Sequence, residues 1–331
     1  MHDIAVLLTE ECFAGSVTGL LDALVFANRQ AARHGDAMFR WQVLSPDGAA
    51  VRSSSGVRLM ADGDFSQAEQ ADTVIVAPVY FQRLAAFEAR LACERDLYRR
   101  LRRWHGAGKR VASMCSGVAL LAESGLLEQR AATISWWLIP WFRARYPAVR
   151  LQPYAMLTEA DGLLCGGATT AYLDLALRLV EQQGGAELAR ACARIMLSDR
   201  NRDSQAPYAS QHDIAGHGDD LVLRCQQWLS DHLDTPYRLA QLAQAARVSE
   251  RTVMRRFQRV LGQTPLGYLQ HLRLNAAREL LETTALGLDD ISAQVGYGDS
   301  GTFRRLFRRE LQCSPAEYRR RFGKQEQTEG P

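Results

Sequence analysis

A pattern that repeats after fifty residues constrains this chain more than any other feature. Val253, Arg255, Phe257, Pro265 and Tyr268 recur as Phe303, Arg305, Phe307, Pro315 and Tyr318. Ser249, a good helix N-cap, recurs as Asp299, another. A matched period of this length means one structural unit used twice. The first copy, LAQLAQAARVSERTVMRRFQRVLG, reads as a short helix from Leu239 to about Ala246, a turn RVS, and a second helix opened by Ser249. The second copy, LDDISAQVGYGDSGTFRRLFRREL, puts Gly296 in the turn and Asp299 at the cap. Between them PLGYLQHLRLNAARELLETT, with Pro265 in its first turn and a long apolar stripe, reads as a rigid connecting helix.

A short helix, a tight turn and a second helix with a basic outer face make a helix-turn-helix. Val253 and Phe257, four apart, face inward, and Arg251 and Arg255 share a different, outward face. In the second copy Phe303 and Phe307 face in, and Thr302 and Arg305 face out. The residues expected at DNA are therefore Glu250, Arg251, Thr252, Met254 and Arg255, and then Ser300, Gly301, Thr302 and Arg305. Charge agrees. The chain carries only +3, but Arg238 to Lys324 holds fifteen Arg and one Lys against eight acidic residues, which leaves the remainder near −5. A basic third on an otherwise acidic chain points to a polyanionic partner, here double-stranded DNA.

Residues 1–197 have another rhythm. DIAVLLT, FRWQVLS, DTVIVAPV, KRVASMC and DGLLCGG read as buried strands. Between them lie helical stretches: VTGLLDALVFANRQAARHG (Leu20, Leu21, Leu24 and Val25 on one face, Gly35 as its stop), ERDLYRRLRRWHGAG, VALLAESG and, last, TTAYLDLALRLVEQQGG. The alternation implies an α/β domain, a parallel sheet covered by helices on both faces, followed by an all-α domain. The polar, aperiodic stretch from Ser198 to Asp220 reads as the connection. The expected organisation is an α/β domain at 1–197, a linker at 198–218, two helix-turn-helix units at 219–322 and a tail at 323–331.

Seven scattered cysteines with no CxxC pair indicate neither a zinc site nor a disulfide framework, and no metal or cofactor is expected. No apolar run approaches the roughly 18 residues of a membrane span, and the N-terminus lacks the basic and apolar regions of a signal peptide, so a cytoplasmic protein is expected.

In RVASMCSGVALLAESGLL, a strand ends in Cys115 and a helix starts at Val118, the arrangement of a nucleophile elbow. Such strand ends carry function in parallel sheets, as does the Cys165-Gly166-Gly167 turn. Amides of Cys115 and Ser116 at a helix start suit a carboxylate. Trp136, Trp137 and Trp141 follow closely and could box an ammonium group, or be core or dimer interface. Cys115, Ser116, Trp136, Gly166 and Gly167 are the candidate ligand residues, and an amino acid or a quaternary amine is the ligand class that satisfies both features.

Two resemblances follow from these residues. Leu239, Leu242 and Ala243, the S-x-x-x-V-x-R-x-F from Ser249, P-x-x-Y-x-x-x-x-R from Pro265, G-Y-x-D from Gly296, and F-x-R-x-F followed by S-P-x-x-Y-R to Arg319 resemble the AraC/XylS-type DNA-binding domain. Gln312 stands where that family usually has glycine, and Gly301 where a polar residue is usual. CSGVALLAESGLLEQRAAT, GGATTAYLDLAL and RDSQAPY are similar to the PfpI-like, class I glutamine amidotransferase-like sensor domains of GlxA-type regulators. Together they imply a one-component transcriptional regulator whose first domain, flavodoxin-like in fold, senses a metabolite. They also imply a homodimer, and RNA polymerase as a further partner if the chain activates.

The other reading is a cysteine-dependent hydrolase, amidase or hydratase fused to a DNA-binding domain. A nucleophilic thiol needs a base and often a group to orient that base. No histidine immediately follows Cys115, and in TISWW Ser135 occupies the place where relatives commonly have histidine. Glu10 and Glu11 lie in the N-terminal loop, but the partner glutamate of related folds aligns nearer Ala14. The regulator is the favoured reading and Cys115 is expected to line a ligand pocket.

Overall fold

The computed structural model describes residues 1–32, 37–197, 204–208, 219–261 and 263–323. Gly35 and most of the expected linker, 198–203 and 209–218, lie outside the described residues. The chain divides into two compact units, Met1–Gln205 and Ala206–Pro331.

In the first unit, β1 (His2–Leu7) is followed by α1 (Ala14–Ala31), β2 (Phe39–Ser45), the short strands β3 (Val51–Arg52), β4 (Arg58–Leu59) and β5 (Gly63–Asp64), and β6 (Thr73–Val76). Next come α2 (Leu84–Cys93), α3 (Arg95–Gly106), β7 (Arg110–Met114), α4 (Val118–Glu123), β8 (Ala131–Ala132), α5 (Ile139–Arg145) and β9 (Arg150–Leu151). β10 (Leu157–Ala160), β11 (Leu163–Gly166) and α6 (Tyr172–Ile195) complete it. Seven strands form one sheet in the order β10-β11-β7-β6-β1-β2-β5. All pairs are parallel except β10 with β11, which is antiparallel. The expected parallel sheet is thus mixed at one edge. There the tight turn at Asp161 and Gly162, both at positive φ, returns the chain directly beside itself without a crossover helix.

The strands are buried on both faces, which is why they read as continuous apolar runs. Ala5 and Leu7 join the core under α2, α3, α4 and α5, while Ile4, Val6 and Leu8 join the core under α1 and α6. On α1, Leu20, Ala23, Leu24 and Ala27 are buried, but Val25, expected on that face, is 48% exposed. Along α6 two helical segments meet at the Gly184-Gly185 pair. Gly185, at φ 79°, kinks the chain, and Ala189, Cys192 and Ala193 resume the buried stripe.

In the second unit, α7 (Asp220–Asp231), α8 (Leu239–Ala245) and α9 (Glu250–Leu261) precede α10 (Pro265–Thr283). α11 (Leu288–Gln294), α12 (Ser300–Leu311) and α13 (Pro315–Phe322) follow. One small core gathers Val253, Phe257 and Leu269, and the other Phe303, Phe307 and Tyr318, so each repeat has its own core and α10 contributes to both. The turns differ by one residue. Arg247 (φ 55°) and Gly296 (φ 82°) hold the same left-handed position, forty-nine apart, whereas the caps Ser249 and Asp299 are fifty apart.

Candidate effector site and nucleic-acid interface

The sheet reverses its winding between β1 and β6, and in such folds ligands enter at the carboxyl ends beside that point. Residues 9–12 after β1, 77–79 after β6 and Cys115 after β7 meet there. Cys115 sits at φ 51°, an unusual backbone for a residue with a Cβ, so the elbow is a strained feature and not a passive turn. Close approach of neighbours fixes it. Gly117 has room for no side chain: a Cβ would fall 2.3 Å from Ser113 Oγ and 3.2 Å from the Ala77 carbonyl oxygen.

The cysteine is only 1% exposed. Two hydroxyls close over its sulfur: Ser135 Oγ donates to Sγ at 2.9 Å and Thr169 Oγ1 at 3.3 Å. Glu10 and Glu11 are exposed, and Ala14 begins α1. Among the described residues no histidine or carboxylate hydrogen-bonds the thiol. Burial raises the pKa of Cys12 to about 11 and of Cys165 to about 12, so these two neighbouring thiols stay protonated at neutral pH.

The other candidate ligand residues have structural work. Ser116 Oγ accepts from the Val79 amide at 3.0 Å and donates to the Val79 carbonyl at 2.6 Å, tying the elbow to the loop after β6. A Cβ on Gly166 would lie 2.8 Å from Ala171 Cβ and 2.9 Å from Met114 Cβ. On Gly167 it would lie 2.3 Å from Gln205 Nε2. Trp136 is half-buried with its amide bonded to Gln205. Trp141 is committed elsewhere: Nε1 donates to Glu88 at 2.8 Å and the Arg145 guanidinium lies 6.0 Å from its ring centre. Trp137, 39% exposed, packs against Phe81.

In the second unit the outward residues stand as the repeat implies. Arg251, Arg255, Thr302 and Arg305 are exposed, Thr252, Ser300 and Gly301 are partly so, Glu250 opens α9, and Met254 is 37% exposed. Among the described residues Arg251 and Arg255 make no ion pair, while Arg256 and Arg259 on the next strip reach Asp219 at 3.3 and 3.8 Å. Arg305 is steadied by Thr302 Oγ1 at 3.0 Å. Asp299 caps α12 through the Gly301 and Thr302 amides, and the Thr302 side chain together with those amides holds its carboxyl below the usual range. Gln312, in the glycine's place, takes the left-handed conformation (φ 56°) that ends α12.

Residues 242–321 match the helix-turn-helix domain family. The chain is 30% identical over 309 residues to the HTH-type transcriptional regulator CdhR of Pseudomonas aeruginosa, covering 92% of this chain and 88% of CdhR. It belongs to the AraC-type transcriptional regulators. The regulator GlxA of Rhizobium meliloti is 26% identical over 321 residues, 97% of this chain and 96% of GlxA. An AraC family regulator from Pseudomonas putida of known structure superposes with a TM-score of 0.52 at 24% identity, over 59% of this chain and all of that one. This AraC-type regulator therefore joins an α/β domain, alike in fold to the Pseudomonas putida structure, to a helix-turn-helix domain. No helix among the described residues is long and apolar enough to cross a membrane, and no group of their acidic, His or Cys side chains could hold a metal ion.

Two residues of this regulator lie in the quoted motifs without their roles being legible there. Arg273, on α10, is 7% exposed and bonds the Leu233 and Thr235 carbonyls. Gln205, 1% exposed, reaches the loop over Cys115. Arg273 closes the P-x-x-Y-x-x-x-x-R motif and Gln205 lies in RDSQAPY, but nothing local discloses what either bonds, because their partners lie 38 to 71 residues away.

Proposed function

We propose that this regulator works by binding at both ends and does not transform its effector. A small molecule, an amino acid or quaternary amine, occupies the Cys115 crevice. Its carboxylate meets the elbow amides and its cationic end meets Trp136. The setting of Cys115 carries this reading: the sulfur is held by Ser135 and Thr169 hydroxyls, and neither can serve as a base at neutral pH. The described histidines are engaged elsewhere, His2 with Thr73, His105 with the Asp161 carbonyl, His232 with the Trp228 carbonyl and His271 with Gln263. The sensor domain spans 1–197, the linker 198–218, the DNA-binding domain 219–322 and the tail 323–331. The protein acts in the cytoplasm as a homodimer through its sensor domains, and engages RNA polymerase where it activates.

A thermal-shift screen of amino acids, quaternary amines and small carboxylates on the full chain identifies the effector. With it in hand, Cys115→Ser is expected to retain ligand-dependent transcription, with affinity changed by no more than about threefold, because a hydroxyl replaces one weak hydrogen-bond partner by another. Product formed by wild type and not by the serine variant would make the elbow an active site and end this reading.

At the other end, both recognition helices enter successive major grooves about 34 Å apart on one face of the duplex. Arg255→Ala is expected to cost about 1–3 kcal/mol at its half-site if the guanidinium grips a guanine. Equal weakening on all sequences would instead assign Arg255 to phosphate, and a footprint covering one groove would refute two-helix binding.

A further inference from the structure

The chain leaves its first compact unit beside the elbow. Gln205 is the last residue of that unit. Its backbone is held at an edge: Ser204 bridges Ala155, and the Gln205 amide donates to the Tyr154 carbonyl at 2.8 Å. Its side chain turns inward. Nε2 donates to the Ile134 carbonyl at 2.8 Å, and Oε1 accepts from the Trp136 amide at 2.9 Å. Those two peptide groups flank Ser135, so one carboxamide pairs with the backbone as a neighbouring strand would. Ser135, clamped between them, is the residue whose hydroxyl meets Cys115 Sγ. Nε2 also lies 3.3 Å from Thr133 Oγ1, which in turn donates to the Ala155 carbonyl at 2.8 Å.

We propose that Gln205 is the positioning residue that couples the Cys115 crevice to the chain leaving the sensor domain. The inference rests on the reading that the effector occupies that crevice. A ligand that displaces Ser135 must move the 134 and 136 peptide groups. Gln205 then either follows them or leaves buried polar groups unpaired, which is costly. The clamp therefore has two arrangements, bonded and released, and whatever biases one end biases the other reciprocally.

The test uses the full chain and iodoacetamide, with each cysteine's alkylation rate followed by peptide mass spectrometry. Gln205→Met keeps the volume and removes both clamp bonds. It should raise the Cys115 rate by about tenfold, since protection scales with the open population. The rates of exposed Cys93 and of Cys192, buried on α6, should not change. A Cys115 rate equal to wild type overturns the coupling. So does an equal rise at Cys192, which would make Gln205 a general stability residue. The reciprocal arm needs no substitution. Wild type alkylated at Cys115 should exchange its Trp136 and Gln205 amide hydrogens faster than unlabelled protein, and unchanged exchange at Gln205 overturns the proposal. If no compound binds the crevice, the effector reading fails, while both of these rates still report on the clamp itself.

Discussion

Arg273→Ala should destabilise the second unit by about 3 kcal/mol and weaken DNA binding with it, because it removes a buried charge whose partners stay behind. The guanidinium spans both halves of the unit. Nε donates to the Leu233 carbonyl at 2.8 Å and Nη2 to the Thr235 carbonyl at 2.6 Å, both between α7 and α8. Its plane lies 5.2 Å from the ring centre of Tyr297, in the turn before α12. Gly296 makes the room: a Cβ there would fall 2.6 Å from Nη2 and 2.7 Å from the Leu233 carbonyl, and its φ of +82° already favours glycine. Burial pulls the Arg273 pKa down from its usual value. One side chain thus ties the first helix-turn-helix to the turn of the second, and the spacing of α9 and α12 depends on it. Arg273→Lys should recover only part of the loss, since a single ammonium cannot reproduce the planar fork. Denaturant unfolding of the C-terminal transition checks this. An unfolding free energy within about 0.5 kcal/mol of wild type would show that the bridge is dispensable.

The contrast between Arg273 and Arg255 shows what the sequence could and could not disclose. Both are arginines on amphipathic helices, and only position within a repeat distinguishes them. Arg255 has a counterpart at Arg305, so its outward face was legible. Arg273 lies on the connecting helix, which occurs once, and its carbonyl partners are fixed only when α7 and α8 fold. The strands were legible because both faces are buried and the residues read as unbroken apolar runs. β10 was not: it is a short edge strand with Thr158 and Glu159 at its centre, and its polarity reads as loop. The elbow was legible from Cys115 at a strand-to-helix junction. The roles around it were not, because Ser116, Gly166 and Gly167 have the residue types of a ligand cradle and also those of tight packing. Only the position of Val79, Ala171 and Gln205 separates the two.

Gly167→Ala should therefore destabilise the first unit by about 2 kcal/mol with no ligand present, the usual penalty for forcing a methyl into a filled site. The new Cβ would stand 2.3 Å from Gln205 Nε2 and 2.6 Å from the Ala155 carbonyl oxygen. The backbone cannot retreat easily, because the Gly167 amide is bonded to the Met156 carbonyl at 2.8 Å and the strand before it is paired with β7 and β10. The carboxamide can move only by giving up its bonds to Ile134 and Trp136, which hold the peptide groups on either side of Ser135. Gly185→Ala supplies the comparison. Unlike Gly167, it sits at positive φ (+79°), and nothing lies within 4 Å of where a Cβ would stand, so backbone strain alone acts there, at about 1–3 kcal/mol. A glycine kept only for contact with effector would behave differently: its alanine variant would unfold like wild type and lose ligand affinity alone. Thermal unfolding of the ligand-free variants separates these cases, and wild-type stability in Gly167→Ala would return that glycine to the effector.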